Sequence, residues 1–389
     1  MILGLYCNWG VIPADDGFYI EAIHAKYLYA FKSNKSIGRV VLLSNTKFSK
    51  VNDSHVFIPF SDVELIKLPS FNSYIKAMKN IGAIKNGIKD LCNKADYIYI
   101  RTPEPFSWMF NLYKNKSKLN YHFTSNPIEV IKSGFRNAKV KTIAKLFLFY
   151  PEYYIICLSA RLNQCSANGD SVINDLPLFL KNKVNVLIES SLTKQEIDIK
   201  EKGKEKNYND FSFLCVSRLQ EGKGLENLIL AFKNIVKLHS YAVLTIVGSG
   251  ALYSKLNEMI LFHKLENNIR MLGFIKNGPD LDQVYKDHNY FINPSLSETG
   301  PRVILEAMYH NLFCISTDVG YVRRVMTDKN NNLVGNISAS KDSKGLYDSI
   351  LFCLNSSSPE FIGSRATKGN ENSIRFTLDK FVDEVINEA

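Results

Sequence analysis

The sequence predicts an α/β protein made of two doubly wound domains, and three observations carry that reading. Ile2–Tyr6 is a short apolar run, followed by a turn-rich loop from Asn8 to Gly17 and an amphipathic pattern from Phe18 to Phe31. A second apolar run, Phe211–Val216, enters another glycine-bearing loop, Ser217–Gly224. Strand, loop and helix in this order open a doubly wound domain. Between the two openings lies Ser190–Asn209, polar, charged and poor in large apolar residues, as at a domain boundary. The predicted division is 1–190, 191–373 and a terminal helix over about 374–389.

Composition bounds the function. At 389 residues, 46% hydrophobic and 22% charged, the chain is ordinary globular material with room for two or three domains. Seven cysteines are scattered, with no C-x-x-C pair, which predicts reduced core thiols and a reducing compartment. Met1–Tyr6 reads as a strand without a basic leader, so no secretory signal is expected. The longest apolar region, Leu146–Leu158, is interrupted by Pro151-Glu152 and is too short to span a bilayer. The expectation is a cytoplasmic protein, soluble or peripheral at the inner membrane face. The formal charge is +10, and residues 1–190 hold all of it, with 24 Lys+Arg against 14 Asp+Glu. Residues 191–389 are balanced at 24 of each. An anionic partner of the first half is implied: a membrane surface, a phospholipid-linked acceptor or nucleic acid.

In the first half, Arg39–Ser44 and Tyr97–Arg101 read as strands. Arg101 leaves the second of these at its C-terminal end, where an acceptor-side arginine would sit; a solvated loop explains it equally. Leu119–Phe123 is a short strand containing His122. From Ile131 to Tyr150, Lys132, Arg136, Lys139, Lys141 and Lys145 alternate with apolar residues. This pattern predicts a basic amphipathic helix suited to an anionic bilayer, or a domain helix with solvated lysines. Val184–Ile188 is a further strand.

In the second half, Ala242–Val247 is a strand ending in Gly248-Ser-Gly250, followed by a helix over Leu252–Phe262. Tyr253 stands where a dinucleotide fingerprint would have its third glycine, so the match to such a site is weak. Ile269–Phe274 is the next strand. Asp280-Leu-Asp282 follows Gly278-Pro279 and opens a helix, where acids are favoured without any metal; no metal is expected. After the strand Tyr290–Asn293 comes the stretch on which the chain is organised. Ser295–Gly300 are turn-formers, Pro301 suits a first helical position, Arg302–Tyr309 have helical spacing and Leu312–Ser316 is a strand. Backbone N–H groups of Thr299, Gly300 and Arg302 at this helix start would form an anion site. Glu298 stands at its mouth, within reach of sugar hydroxyls. Glu306, two turns on, is placed for the vicinal hydroxyls of a ribose. The alternative is a helix-capping Glu298 and a surface Glu306 paired with Arg302. Ser338–Asn372 reads as polar tail apart from Leu346–Leu354, and Leu378, Phe381, Val382, Val385 and Ile386 give an amphipathic terminal helix.

Glu298-Thr-Gly-Pro through Glu306-Ala-Met, then Cys314-Ile-Ser-Thr-Asp-Val-Gly, resembles the acidic signature of the family-4 retaining glycosyltransferases. Ser217-Arg-Leu-Gln-Glu-Gly-Lys-Gly is similar to that family's basic phosphate loop. The resemblance covers Phe211 to about Val334 well and residues 1–190 in outline. It implies the GT-B fold: two Rossmann-like domains facing across a cleft, the first for the acceptor and the second for the donor, with the C-terminal helix crossing back to the first. It implies transfer of a sugar from a UDP- or GDP-sugar to a hydroxyl of a lipid-linked or cell-surface glycan, with no cofactor or metal required and no nucleic-acid partner. Arg218 and Lys223 would hold the diphosphate and stabilise the charge that grows on it. Gly248 and Gly250 would lie beside the nucleotide, and Phe274 and Ile275 would edge the base, with core packing as their other explanation. His122 would face the transferred sugar, with a satisfied structural histidine as its other explanation, and Gly10 and Gly17 would belong to an acceptor loop, with an ordinary connection as theirs. A nucleotide-sugar epimerase of the same fold, or a non-enzymatic basic binding protein, are the rival readings.

Overall fold

The computed structural model describes residues 1–125, 139–198, 206–355 and 357–387. The chain divides into two compact units, Met1–Ile188 with Leu378–Ala389, and Glu189–Thr377.

The first unit contains β1 (Ile2–Tyr6), β2 (Ile12–Pro13), β3 (Gly17–Glu21), β4 (Arg39–Asn45), β5 (His55–Pro59), β6 (Glu64–Leu68), β7 (Tyr97–Thr102), β8 (Lys118–Phe123), β9 (Gln164–Asn168) and β10 (Asn185–Leu187). Seven of these form one parallel sheet in the order β6-β4-β1-β7-β8-β9-β10. A parallel sheet is covered on both faces, so its strands read as unbroken apolar runs. Their side chains still alternate. Leu3, Leu5, Val40, Leu42, Tyr97 and Tyr99 enter one core with the Ala22–Ser33 helix. Val41, Leu43, Ile98 and Ile100 enter the other, with the Ile81–Lys94 and Lys139–Arg161 helices. The terminal helix, Leu378–Asn387, buries the five apolar residues whose spacing predicted it. They join the first core, and Tyr97 donates its hydroxyl to Val385 O at 2.8 Å. Five such side chains contribute roughly 10 kcal/mol of gross transfer free energy, which anchors the end of the chain to the first unit.

Two expectations for this unit are corrected. The helix predicted from Phe18 begins only at Ala22, because Gly17–Glu21 is a strand of a small antiparallel sheet, β2-β3-β5. Phe18 and Ile20 are buried and Tyr19 packs on Phe57 across the ladder, so the period of two prevails over the helical spacing. Gly17 is therefore not part of an open acceptor loop. A Cβ there would meet Ile58 O at 2.3 Å, so the glycine serves close strand approach. Pro151 lies inside one continuous helix, Lys139–Arg161, which runs past the Tyr150 end of the predicted basic stretch, and no helix among the described residues is long and apolar enough to cross a membrane. Lys132 and Arg136, from the basic stretch, lie outside the described residues.

The second unit contains β11 (Ser212–Val216), β12 (Val243–Val247), β13 (Ile269–Gly273), β14 (Tyr290–Asn293), β15 (Phe313–Thr317) and β16 (Asn336–Ser338). They form a parallel sheet in the order β13-β12-β11-β14-β15-β16. Chain direction across the sheet reverses between β11 and β14, and in the first unit between β1 and β7. At such a point the loops leaving adjacent strand ends diverge, and ligands bind there in open α/β sheets. The region read as a polar tail contains a 15-residue helix, Pro359–Ser373. It buries Ile362, Ala366, Gly369, Asn372 and Ser373, mostly small residues, which gave no apolar periodicity. Asn370 Nδ2 donates to Tyr309 O and Asn372 Nδ2 to Val325 O, so amide side chains replace greasy contacts in docking it.

Candidate functional site

The loops leaving β11, β12 and β14 are bound to one another by backbone contacts. Ser217 N donates to Val247 O at 3.0 Å and Leu219 N to Ser249 O at 2.9 Å. Leu252 N returns to Leu219 O at 2.9 Å, and Leu296 N donates to Gly222 O at 2.9 Å. Glycines permit this closeness. Gly248 has φ 145°, and a Cβ there would lie 1.8 Å from Ser217 O. Gly224 has φ 66°, and its Cβ would lie 1.9 Å from Pro294 O. Neither position tolerates a side chain. Gly250 packs in the same manner on Leu219 O.

This strapping sets the charged groups of the two principal loops against each other. Lys223, 9% exposed, forms an ion pair with Glu298, and Ser295 Oγ donates to the same carboxylate oxygen at 3.0 Å. Ser295 is itself tied to β15, where Thr317 Oγ1 donates to its carbonyl. The buried Cys215 lies close enough to sense Lys223: burial pushes its thiol up to about 12, with the lysine charge opposing. Arg218, at the start of the same loop, is exposed. Glu298 leads through the half-buried Thr299 and Gly300 into the Arg302–Tyr309 helix. Pro301 is the residue before that helix, one place earlier than predicted. Among the described residues the N–H groups of Thr299 and Gly300 have no acceptor. A helix start with unpaired donors favours an anion.

Glu306 is a held carboxylate. It accepts from Ser191 Oγ through one oxygen and from the Tyr285 hydroxyl at 2.9 Å through the other. Tyr285 is buried and stacks on His310 at 5.3 Å between ring centroids. Burial first, and then the charge of Glu306, hold its hydroxyl well above the usual titration range, so it stays a donor. Ser295, Tyr285 and Ser191 were not among the sequence candidates. Ser295 had a local signal, three residues before Glu298. Ser191 lay in the stretch read as an exposed linker, but Glu189–Leu192 is buried.

The remaining candidates divide. Phe274 is 65% exposed just beyond β13, and Ile275 is half-buried, so Phe274 offers a ring face rather than core packing. Asp280 and Asp282 occupy the first turn of the Pro279–Lys286 helix, and Asp282 pairs with His310 Nε2 at 3.3 Å. Among the described residues no cluster of His, Cys, Asp or Glu is arranged to hold a metal ion. In the first unit, Arg101 is half-buried at the end of β7. His122 is a correction: it is fully buried in β8, between Tyr99 and Phe381 of the terminal helix, with Nδ1 on Ser166 Oγ at 2.9 Å. Its strand position was read correctly, but its side chain turns into the core and presents nothing to a ligand. The polar group at this unit's switch point is instead Glu104. It accepts from the backbone N–H and the side-chain amide of Asn8, which follows β1.

Residues 196–368 match the family model of the group 1 glycosyl transferases. An uncharacterised glycosyltransferase of Methanocaldococcus jannaschii is 31% identical over 209 residues, which are 52% of this chain and 49% of the relative. The phosphatidylinositol N-acetylglucosaminyltransferase gpi3 subunit of Schizosaccharomyces pombe is 32% identical over 115 residues, 30% of this chain and 25% of the relative. The chain thus spans between a quarter and a half of the length of these relatives. Among solved structures, Anabaena HepE in complex with UDP-glucose aligns over the whole of both chains with TM-score 0.65 at 15% identity. Sucrose-phosphate synthase of Thermosynechococcus elongatus aligns over 99% of this chain and 97% of its own, with TM-score 0.69 at 14% identity. The fold is GT-B, with two Rossmann-like domains.

Proposed function

We propose that this chain is a glycosyltransferase that moves a sugar from a nucleotide-sugar donor to a hydroxyl of a lipid-linked or cell-surface glycan, with retention of anomeric configuration and without a required metal. The observation that supports this most is the Lys223–Glu298 pair, held beside the start of the Arg302–Tyr309 helix at the switch point of the second sheet. A cation, unpaired backbone donors and a carboxylate then share one small region, which suits a diphosphate bonded to a sugar. The leaving nucleoside diphosphate gains negative charge as the glycosidic bond breaks. Lys223, the Arg218 fork and the Thr299 and Gly300 N–H groups would stabilise that charge where it develops. Glu298 would orient hydroxyls of the transferred sugar. Glu306, positioned by Ser191 and Tyr285, would take the ribose diol, and Phe274 would cover the base. Gly248 and Gly250 would allow the nucleotide to lie close to the backbone. The first unit would receive the acceptor, with Arg101 near it. The first half of the chain, with its excess of +10, would meet an anionic membrane surface from the cytoplasmic side.

UDP-sugars are the first donors to test, because HepE was solved with UDP-glucose. A phosphatidylinositol named as substrate of a relative favours a lipid-linked acceptor. The test is a thermal-unfolding scan with UDP, GDP and ADP. A nucleotide at one hundred times its Kd stabilises by about 2.7 kcal/mol, a readily measured rise in Tm. Stabilisation by none of the three overturns the donor reading. Product analysis without acceptor separates transfer from epimerisation of the donor.

A further inference from the structure

The Lys139–Arg161 helix of the first unit has its polarity reversed. A surface helix of a globular protein turns its polar face to water. Here every exposed position from Phe147 to Leu162 is apolar or aromatic except Arg161. Ile143, Phe147, Tyr150, Tyr154, Leu158 and Leu162 recur at three- to four-residue spacing along one side, and Phe147 is 80% and Leu162 75% exposed. Leu148 and Ile155 widen the stripe. Tyr154 also packs on Phe179 at 6.1 Å, which brings the Leu178–Lys181 helix alongside, with Leu178 itself 84% exposed. The core face is made by Tyr153, Ile156, Cys157 and Ala160, so the outward stripe is not simply a misassigned interior. The helix's one acid, Glu152, is buried and accepts from Phe106 N. Arg161, Lys181 and Lys183 lie at the C-terminal end of the stripe, where Lys183 Nζ and Arg161 bond backbone carbonyls. The sequence also places Lys139, Lys141 and Lys145 in the first turns.

We propose that this stripe is where the protein lies on an anionic bilayer, its aromatic and aliphatic side chains entering the boundary between headgroups and acyl chains and its basic residues meeting lipid phosphates. The charge decides between occupants. Two copies joined through this face would hold Arg161, Lys181 and Lys183 of each against an apolar or like-charged surface, whereas an anionic surface neutralises them. No helix among the described residues is long and apolar enough to cross a membrane, which suits a helix lying in the interface. The proposal deepens the lipid-linked acceptor reading above and rests on it for its purpose, although the surface is argued from its own side chains.

The test is flotation of the full chain with phosphatidylcholine vesicles, with and without phosphatidylglycerol, beside the variant Phe147→Glu/Leu158→Glu. Both positions are exposed, so the variant keeps its thermal unfolding profile. The wild type floats with the anionic vesicles and less with the neutral ones, and the variant partitions on the order of a hundredfold more weakly. A wild-type chain that floats with neither overturns the proposal. Light scattering then says whether a dimer, broken by the variant, occupies the face. Equal flotation of wild type and variant also overturns it, by moving binding to another surface. The UDP thermal shift on the same samples separates the two readings. Shift lost with flotation kept defeats the donor reading alone, and flotation lost with shift kept defeats this surface alone.

Discussion

The two units have the same strand order around their switch points and hold the loops there by different means. In Glu189–Thr377 the loops are joined backbone to backbone, through glycines that admit no Cβ. In the first unit backbone bonds join the loops after β1 and β4, Val11 N to Asn45 O and Lys47 N to Val11 O, but side chains join the loops after β1 and β7. Asn8 donates to Glu104, Asn45 N donates to Asn8 Oδ1 at 3.2 Å, and Tyr6 OH donates to Pro105 O at 2.7 Å. The difference teaches what each arrangement can tolerate. A backbone strap places charges such as Lys223 and Glu298 rigidly and fails on a single added methyl. A side-chain network can be retuned by substitution and by pH.

The largest break in the comparison is expected from Gly248→Ala. The new Cβ collides with Ser217 O, and alanine is strained at φ 145°. Destabilisation on the order of 4 kcal/mol, or failure to fold, follows from the clash and strain together. Gly82 of the first unit lies in the Ile81–Lys94 helix with nothing within 4 Å of an added Cβ. There the same substitution is expected to stabilise by about 0.5–1 kcal/mol. Chemical denaturation of both variants checks the pair, and equal effects would remove the distinction between the strapped and open positions.

Next in size is the charged pair. Lys223→Met should lower the transfer rate roughly 10²–10³-fold, as loss of one group stabilising transition-state charge does. It also leaves Glu298 partly buried without its cation, so Tm falls. Adding Glu298→Gln should restore much of the Tm and none of the rate. A double variant as unstable as the single one would mean that the pair is not what positions these loops.

A smaller effect than either loop break belongs to the first unit and depends on pH. Burial pushes the Glu104 carboxyl from 4.5 to about 7, against the hydrogen bonds from Asn8 and the charge of Arg101. Between those values the folded chain keeps a proton that the unfolded chain has released, so stability falls as pH rises through the window. Glu104→Gln removes that loss. After allowance for the partial exposure of Glu104, the variant should gain about 2 kcal/mol over wild type above neutral pH and nothing below pH 4.5. Unfolding curves at the two ends of the range measure it, and a pH-independent difference would show that Glu104 does not titrate there.

Much of this was legible in the chain, for reasons that differ by residue. The strands could be read because parallel strands covered on both faces are continuous apolar runs, as in Phe211–Val216. The terminal helix could be read because one wide apolar stripe repeats through Ile386. The Pro359–Ser373 helix could not, because it docks through small residues and asparagine amides. The strand at Gly17–Glu21 was hidden because Phe18, Ile20 and the residues after them also fit a helical spacing.

The sequence by itself determined the strand–loop–helix order, the one-sided charge and the residue types needed near a diphosphate, since these are properties of composition and local spacing. Only the tertiary structure decided which of those residues meet. It brought Ser191 and Tyr285 to Glu306, set Lys223 on Glu298, turned His122 into the core and left Phe147 and Leu158 facing outward. Such pairings join residues up to 115 positions apart, and which side of a strand or helix faces inward depends on what packs there, which no local pattern encodes.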